Sequence, residues 1–155
     1  MYNGANFYTF GGVTALFIGR EISNRPACPY LYIIKTFANG FSETGEKAVA
    51  CRKYLSRQVE PEKLELILEA GRVAPTGANR QPQRLVVVQS KEGMERLARC
   101  TRDFGAPTAV IVCADTSEAW TRKYDGKNIS DIDASIVTDH MMLAAASLNL
   151  DTLWI

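Results

Sequence analysis

Several absences narrow the possibilities first. The 155-residue chain has one histidine, His140, and its four cysteines (Cys28, Cys51, Cys100 and Cys113) contain no CxxC pair. A closed structural zinc site therefore lacks ligands, and no metal site is expected. The thiols read as reduced cytosolic residues packed as small hydrophobes. No run approaches the roughly 18 apolar residues of a membrane helix, and the N-terminus lacks the charged-then-apolar pattern of a secretion signal. These features predict a cytoplasmic protein. With 18 basic and 17 acidic side chains the net charge is +1, so nothing draws the chain to nucleic acid or to a membrane. Neither GxGxxG nor GxxxxGK[ST] occurs, which leaves a generic nucleotide-binding module little support.

What is present falls into two unequal parts. Residues 1–50 hold 7 charged side chains but 9 aromatics, among them Tyr2, Phe7, Tyr8, Phe10, Phe17, Tyr30 and Tyr32. No sustained period runs through this stretch, and Gly11, Gly12, Pro26, Pro29 and Gly40 interrupt it. Short apolar pieces at residues 13–18 and 30–34 are candidate strands without an evident partner or turn. We therefore treat 1–50 as an atypical N-terminal segment and 51–155 as the domain proper.

From Val59 the pattern becomes regular. Pro61 stands where a helix starts, and Leu64, Ile67, Leu68 and Gly71 recur on one face. The loop APTGANRQP comes next, at residues 74–82, and then Leu85, Val86, Val87 and Val88 read as a buried strand. Ser90 caps a predicted second helix through about Arg99, with Met94, Leu97 and Ala98 inward. Residues 108–114 read as another buried strand, and the polar stretch 117–128, with Gly126, as an excursion or lid. Asp131 precedes a long helix whose wide apolar face (Ile132, Ile136, Val137, Met141, Leu143, Ala144, Ala145 and Leu148) implies burial on more than one side. Asn149 is suited to the left-handed conformation that closes a helix, and residues 150–155 read as a final strand. Its apolar end at Leu153–Ile155 predicts aggregation unless a partner or the N-terminal segment covers that edge. Alternation of helix and strand predicts an α+β, α/β-layered domain.

The informative segment is the loop. Small residues and prolines let a backbone approach a ligand, and Thr76, Asn79 and Gln81 offer directional hydrogen bonds; read without a family, the same residues also make an ordinary polar turn. Other residues carry a sharp and a bland reading together. His140 either approaches a ligand or lies on the less buried side of its helix, and Trp120 and Tyr124 form either a lid or a surface anchor. Arg80 and Arg84 either meet a phosphate or stay solvated, and Asp131 with Asp133 suits a helix N-terminus without a catalytic role.

The helix, the APTGANRQP loop and the apolar strand after it resemble the signature of the nitroreductase superfamily, in which a helix leads to an APS-x-x-N-x-QP loop. The run DIDASIVTDHMMLAAASLNLDTLWI, residues 131–155, resembles that family's buried central helix and its next strand, so the likeness covers residues 52–155. The resemblance implies a three-layer fold with a central mixed sheet flanked by helices, here incomplete. It implies FMN bound noncovalently in a homodimer interface, with Pro75, Thr76, Gly77, Asn79 and Gln81 on the loop and Arg52 at the phosphate as cofactor-binding residues. NAD(P)H would serve as reductant, and a nitroaromatic, quinone or similar small molecule as acceptor. The reactive atoms would belong to the cofactor, and no catalytic side chain is assigned.

Departures from the family pattern support a rival reading, a noncatalytic remnant that no longer retains FMN. The phosphate-binding segment of the family resembles Arg-x-Ser-x-Arg and, two residues later, an aromatic. Arg52 and Tyr54 fit its last two members, but Ala48 and Ala50 occupy the places of the first Arg and the Ser. Relatives also continue beyond the point corresponding to Ile155, with a glycine-containing turn, more sheet and a basic residue. The sequence predicts a truncated or frame-disrupted member whose first portion is not the family N-terminus.

Overall fold

Pro61 opens helix α1, Pro61–Arg72, where a missing N–H costs nothing, and Glu62 and Arg72 complement the dipole at its two ends. The computed structural model describes residues 10–20, 44–45 and 48–155; the candidate strand at 30–34 and Cys28 lie outside these. Leu64, Ile67 and Gly71 are buried on one face of α1, as the spacing predicts. At Gly71 a Cβ would stand 2.9 Å from the Met141 Sδ, so the absent side chain sets how closely α1 approaches the long helix α3.

Helix α3, Ser130–Ser147, begins one residue before Asp131. It packs against α1 on one side and the sheet on the other, burying Ala134, Val137, Met141 and Ala145. Burial on more than one side is therefore observed, although Ile132 turns outward at 41% exposure. Asn149 takes φ +57, and the Leu150 N–H donates to the Ala145 carbonyl at 2.9 Å, closing the helix as its side chain permits.

Four strands form one sheet: β1 (Phe10–Gly19), β2 (Gln83–Val88), β3 (Thr108–Asp115) and β4 (Asp151–Trp154), in the order β2-β3-β1-β4. The three pairings are antiparallel, and the mixed character comes from a single parallel bridge, Ala50 to Thr152. The strand piece at 13–18 thus finds its partners at the far end of the sequence: Leu16 lies opposite Val110 and Trp154, and Ile18 opposite Thr108 and Thr152.

Alternation along β1 builds two cores. Leu16 and Ile18 join Val110, Val112, α1 and α3 on one face. Phe17 joins Ala109, Leu153, Cys51, Tyr54 and Met94 on the other, where the short helix α2, Lys91–Leu97, covers the sheet. Leu16, Phe17 and Ile18 are 0% exposed, and full burial of each stabilises by about 1.5–3 kcal/mol. Helices on both faces give the layered α+β architecture that the sequence implies.

Two expectations need correction. Strand β2 is an edge strand, so Val86 and Val87 are 51% and 37% exposed instead of buried. Ser90 does cap α2, accepting the Gly93 N–H at 3.1 Å, but the helix ends at Leu97 and Ala98 faces solvent in the turn beyond it. The inner edge of β4 pairs with β1, the N-terminal cover that the sequence reading allowed, with Ala15 and Ile155 exchanging both backbone hydrogen bonds at 2.8 and 3.0 Å, and β4 stands outermost in the sheet. Among the described residues no helix is long and apolar enough to cross a membrane.

Candidate functional site

Residues 74–82 leave α1 and turn sharply before entering β2. Ala74 and Pro82 are buried at the two ends, while Pro75, Ala78, Asn79, Arg80 and Gln81 face solvent. Thr76 is extended (φ −133, ψ 160) and organises the turn from its first residue. Its hydroxyl accepts the Gln81 N–H at 3.0 Å and its carbonyl accepts the Asn79 N–H at 2.9 Å. Gly77–Asn79 forms one 3₁₀ turn.

The backbone here is strained. Ala78, Asn79 and Gln81 take φ of +50, +53 and +50. A left-handed conformation costs an L-residue about 1–2 kcal/mol, less for Asn, and persists only where the surroundings over-determine it. The surroundings do so from three directions. The Pro82 carbonyl accepts the Asp115 N–H at 2.9 Å, tying the loop to the end of β3. Trp120 and Ile129 pack against Gly77 so closely that a Cβ there would stand 2.2 Å from the Ile129 Cδ1 and 3.2 Å from the Trp120 Cβ. The Gly77 N–H itself donates to the Asp133 carboxylate at 2.8 Å.

Asp133 lies in the first turn of α3, as the sequence reading places it, but its contact with the loop is what that reading missed. The residue is 0% exposed, and among the described residues its Oδ2 has no hydrogen-bond partner. The sequence carried a signal: Asp133 precedes Val137 by four residues and Met141 by eight, which puts a carboxylate in phase with the core face of α3. Asp131, by contrast, is exposed, and its reading as a dipole partner stands.

Beside the loop, Arg72, Gln81, Gln83 and Leu85 line an open depression of about 390 Å³. The Gln83 Oε1 is buried there without a partner among the described residues. The loop thus offers a shaped backbone, two carboxamide side chains on Asn79 and Gln81, and no acid, base or nucleophile. Asp115, at the loop's far tether, is held below the usual carboxylate range by the Ser117 hydroxyl and N–H, which donate at 2.6 and 2.9 Å.

Arg52 lies elsewhere. The neighbouring Cys51 N–H donates to the Thr152 carbonyl at 2.8 Å, level with Ile18 and Thr108 across the sheet, whereas the loop enters β2 level with Ala114. Those levels are six residues of β3 apart, about 20 Å, and the two segments flank opposite edges of the sheet. Pro75, Thr76, Gly77, Asn79 and Gln81 are therefore brought together, and Arg52 is not brought to them. Arg52 is exposed, Ala50 is exposed beside it, and Tyr54 is buried, its hydroxyl donating to the Cys51 carbonyl at 3.2 Å.

The remaining candidates resolve into packing and surface roles. Arg84 pairs with Glu118, and its guanidinium also donates to the Gln83 carbonyl at 3.0 Å. Trp120 is a half-buried anchor under Gly77, while Tyr124 is 80% exposed with the Arg122 guanidinium 5.0 Å over its ring. The His140 Nδ1 meets the Ile136 carbonyl at 3.0 Å on the half-buried side of α3.

Comparison with known proteins bears directly on this loop. Residues 47–104, which span Arg52, α1, the loop, β2 and α2, match the model of the nitroreductase family. A Methanothermobacter thermautotrophicus protein named "Putative NADH dehydrogenase/NAD(P)H nitroreductase" is 33% identical over 108 residues, which are 66% of this chain and 53% of that protein. The crystal structure of a nitroreductase family protein from Clostridium difficile 630 is 52% identical with a TM-score of 0.69, covering 72% of this chain and 64% of its own. An FMN-dependent nitroreductase from Clostridium difficile R20291 is 29% identical with a TM-score of 0.60, covering 69% and 61%. The chain spans between about half and two thirds of these relatives' lengths. Residues 47–104 thus match the nitroreductase family, and the superposed part of the chain shares the fold of a nitroreductase family protein.

Proposed function

We propose that the protein is an FMN-dependent oxidoreductase that passes reducing equivalents from NAD(P)H to a nitroaromatic, quinone or similar small acceptor, working as a cytoplasmic homodimer. The observation that carries this reading is the preformed loop. Three positive φ angles within residues 78–81, pinned by Asp133, Thr76 and Asp115, give a backbone edge shaped before any ligand arrives.

The residues present suit the flavin ring better than its phosphate. Pro75, Thr76, Gly77, Asn79 and Gln81 would lie along the ring system, with the Asn79 and Gln81 carboxamides free to reach its polar edge. Arg52 would meet the phosphate. One chain holds this arginine and the loop farther apart than the two ends of one FMN, so a site using both draws them from two subunits, which supports the homodimer. When bound, the flavin supplies the redox chemistry; the chain's residues position it, shield it from water and select the acceptor.

A specific observation favours the second reading, a member of the fold that no longer retains FMN. Ala48 and Ala50 stand beside Arg52 without a hydrogen-bonding side chain. The test is an absorption spectrum after incubation with FMN and desalting. Flavin bands that travel with the protein support the oxidoreductase and justify assaying NAD(P)H oxidation. A folded, colourless protein overturns it in favour of the second reading.

A further inference from the structure

Asp133 is a costly choice of side chain on packing grounds alone. A carboxylate removed from water is costly unless it is paired and its lone pairs are used. Here the side chain is 0% exposed, one oxygen takes a single N–H from a residue 56 positions earlier, and the other oxygen has no partner among the described residues. The first turn of α3 favours the charge in part, since Asp133 is the fourth residue of that helix. An apolar side chain of similar size would pack there at lower cost.

What the carboxylate accomplishes is visible at the other end of its hydrogen bond. Gly77 is the hinge between extended Thr76 and the left-handed run of Ala78, Asn79 and Gln81. Its N–H donates to the buried Asp133 carboxylate, and Trp120 and Ile129 pack against the position. Thr76 holds the turn from within but does not fix how it sits on the body of the domain. Asp133 does, because it belongs to the helix that runs through the core.

We infer that Asp133 is a positioning residue for the proposed flavin site, holding Gly77 so that the turn 78–81 keeps its left-handed form before the ligand arrives. The inference rests on the flavin reading of the loop, and it is tested in the full chain with three variants. Asp133→Leu removes the acceptor while filling its space, and Asp133→Asn keeps an acceptor oxygen. Asp133→Leu combined with Ala78→Gly relieves the strain, since glycine accepts φ +50 without penalty.

Amide exchange in the flavin-free chain is the first readout. Residues 74–82 are expected to exchange about tenfold faster in Asp133→Leu than in wild type, with α1 and β3 unchanged, and to regain protection in Asp133→Asn. FMN titration by fluorescence quenching is the second. Affinity should fall about tenfold or more in Asp133→Leu, stay within about threefold in Asp133→Asn, and recover by about threefold when Ala78→Gly is added. Unchanged loop exchange in Asp133→Leu overturns the inference. Faster exchange spread equally over α1 and β3, or a Leu variant that does not fold, makes Asp133 a general stability residue and overturns it too. If wild type binds no FMN, the flavin reading falls, and the exchange arm alone decides whether Asp133 positions the loop.

Discussion

The turn at residues 74–82 and the segment 48–54 serve the same proposed cofactor and are built in opposite ways. The turn is over-determined: a hydroxyl, a buried carboxylate and a strand end hold three left-handed residues against their own preference. The segment at 48–54 is held by its backbone and by two buried side chains, Cys51 and Tyr54, while its exposed side chains are two cations, Arg52 and Lys53, and the methyl of Ala50, with the half-buried methyl of Ala48 before them. A binding surface made of backbone shape survives loss of side chains, whereas one made of charged side chains disappears with them.

The contrast can be broken most forcefully from below the 48–54 segment. Phe17 is fully buried in the core that also contains Cys51 and Tyr54, so Phe17→Ala should cost about 3–5 kcal/mol in denaturant unfolding. At the loop, Gly77→Ala forces a methyl to within 2.2 Å of the Ile129 side chain, and overpacking of this kind costs about 1–3 kcal/mol. That variant should lower the melting temperature and lose whatever flavin the wild type retains. The comparison sharpens in the other direction with Ala48→Arg and Ala50→Ser together. Two restored charge-assisted hydrogen bonds are worth about 100-fold in FMN affinity and nothing in riboflavin affinity, both read by fluorescence titration.

The smallest effect concerns pH. Donation from Ser117 lowers the Asp115 pKa in the folded chain, so the stability this group contributes is complete above the ordinary carboxylate value of about 3.9 and lost as pH falls through the lower folded value. Asp115→Asn should flatten only that acid limb in thermal unfolding between about pH 5 and pH 2.

Features written in local sequence were readable in advance. Pro61 at a helix start, Ser90 as a cap, Asn149 at a helix end and the loop 74–82 each depend on a few neighbours, and each forms where expected. Features that depend on distant partners were not. Strand β1 looked partnerless because β3 and β4 lie about a hundred residues away, and β2 looked buried because nothing in LVVV says that it stands at a sheet edge. The Asp133 to Gly77 hydrogen bond spans 56 residues, and only the phase of Asp133 with Val137 and Met141 hinted at it. The separation of Arg52 from the loop is likewise a property of the sheet, invisible in a motif read along the chain.

The central claim is that ring-end shape is intact while phosphate-end charge is depleted, and the direct test compares riboflavin with FMN on the wild-type chain under one buffer and salt. Two exposed cations, Arg52 and Lys53, each worth at most about 1 kcal/mol to a solvent-screened phosphate, predict that FMN binds no more than about thirtyfold more tightly than riboflavin. A preference for FMN well above that would contradict the account, because it would require phosphate ligands that the 48–54 segment does not supply.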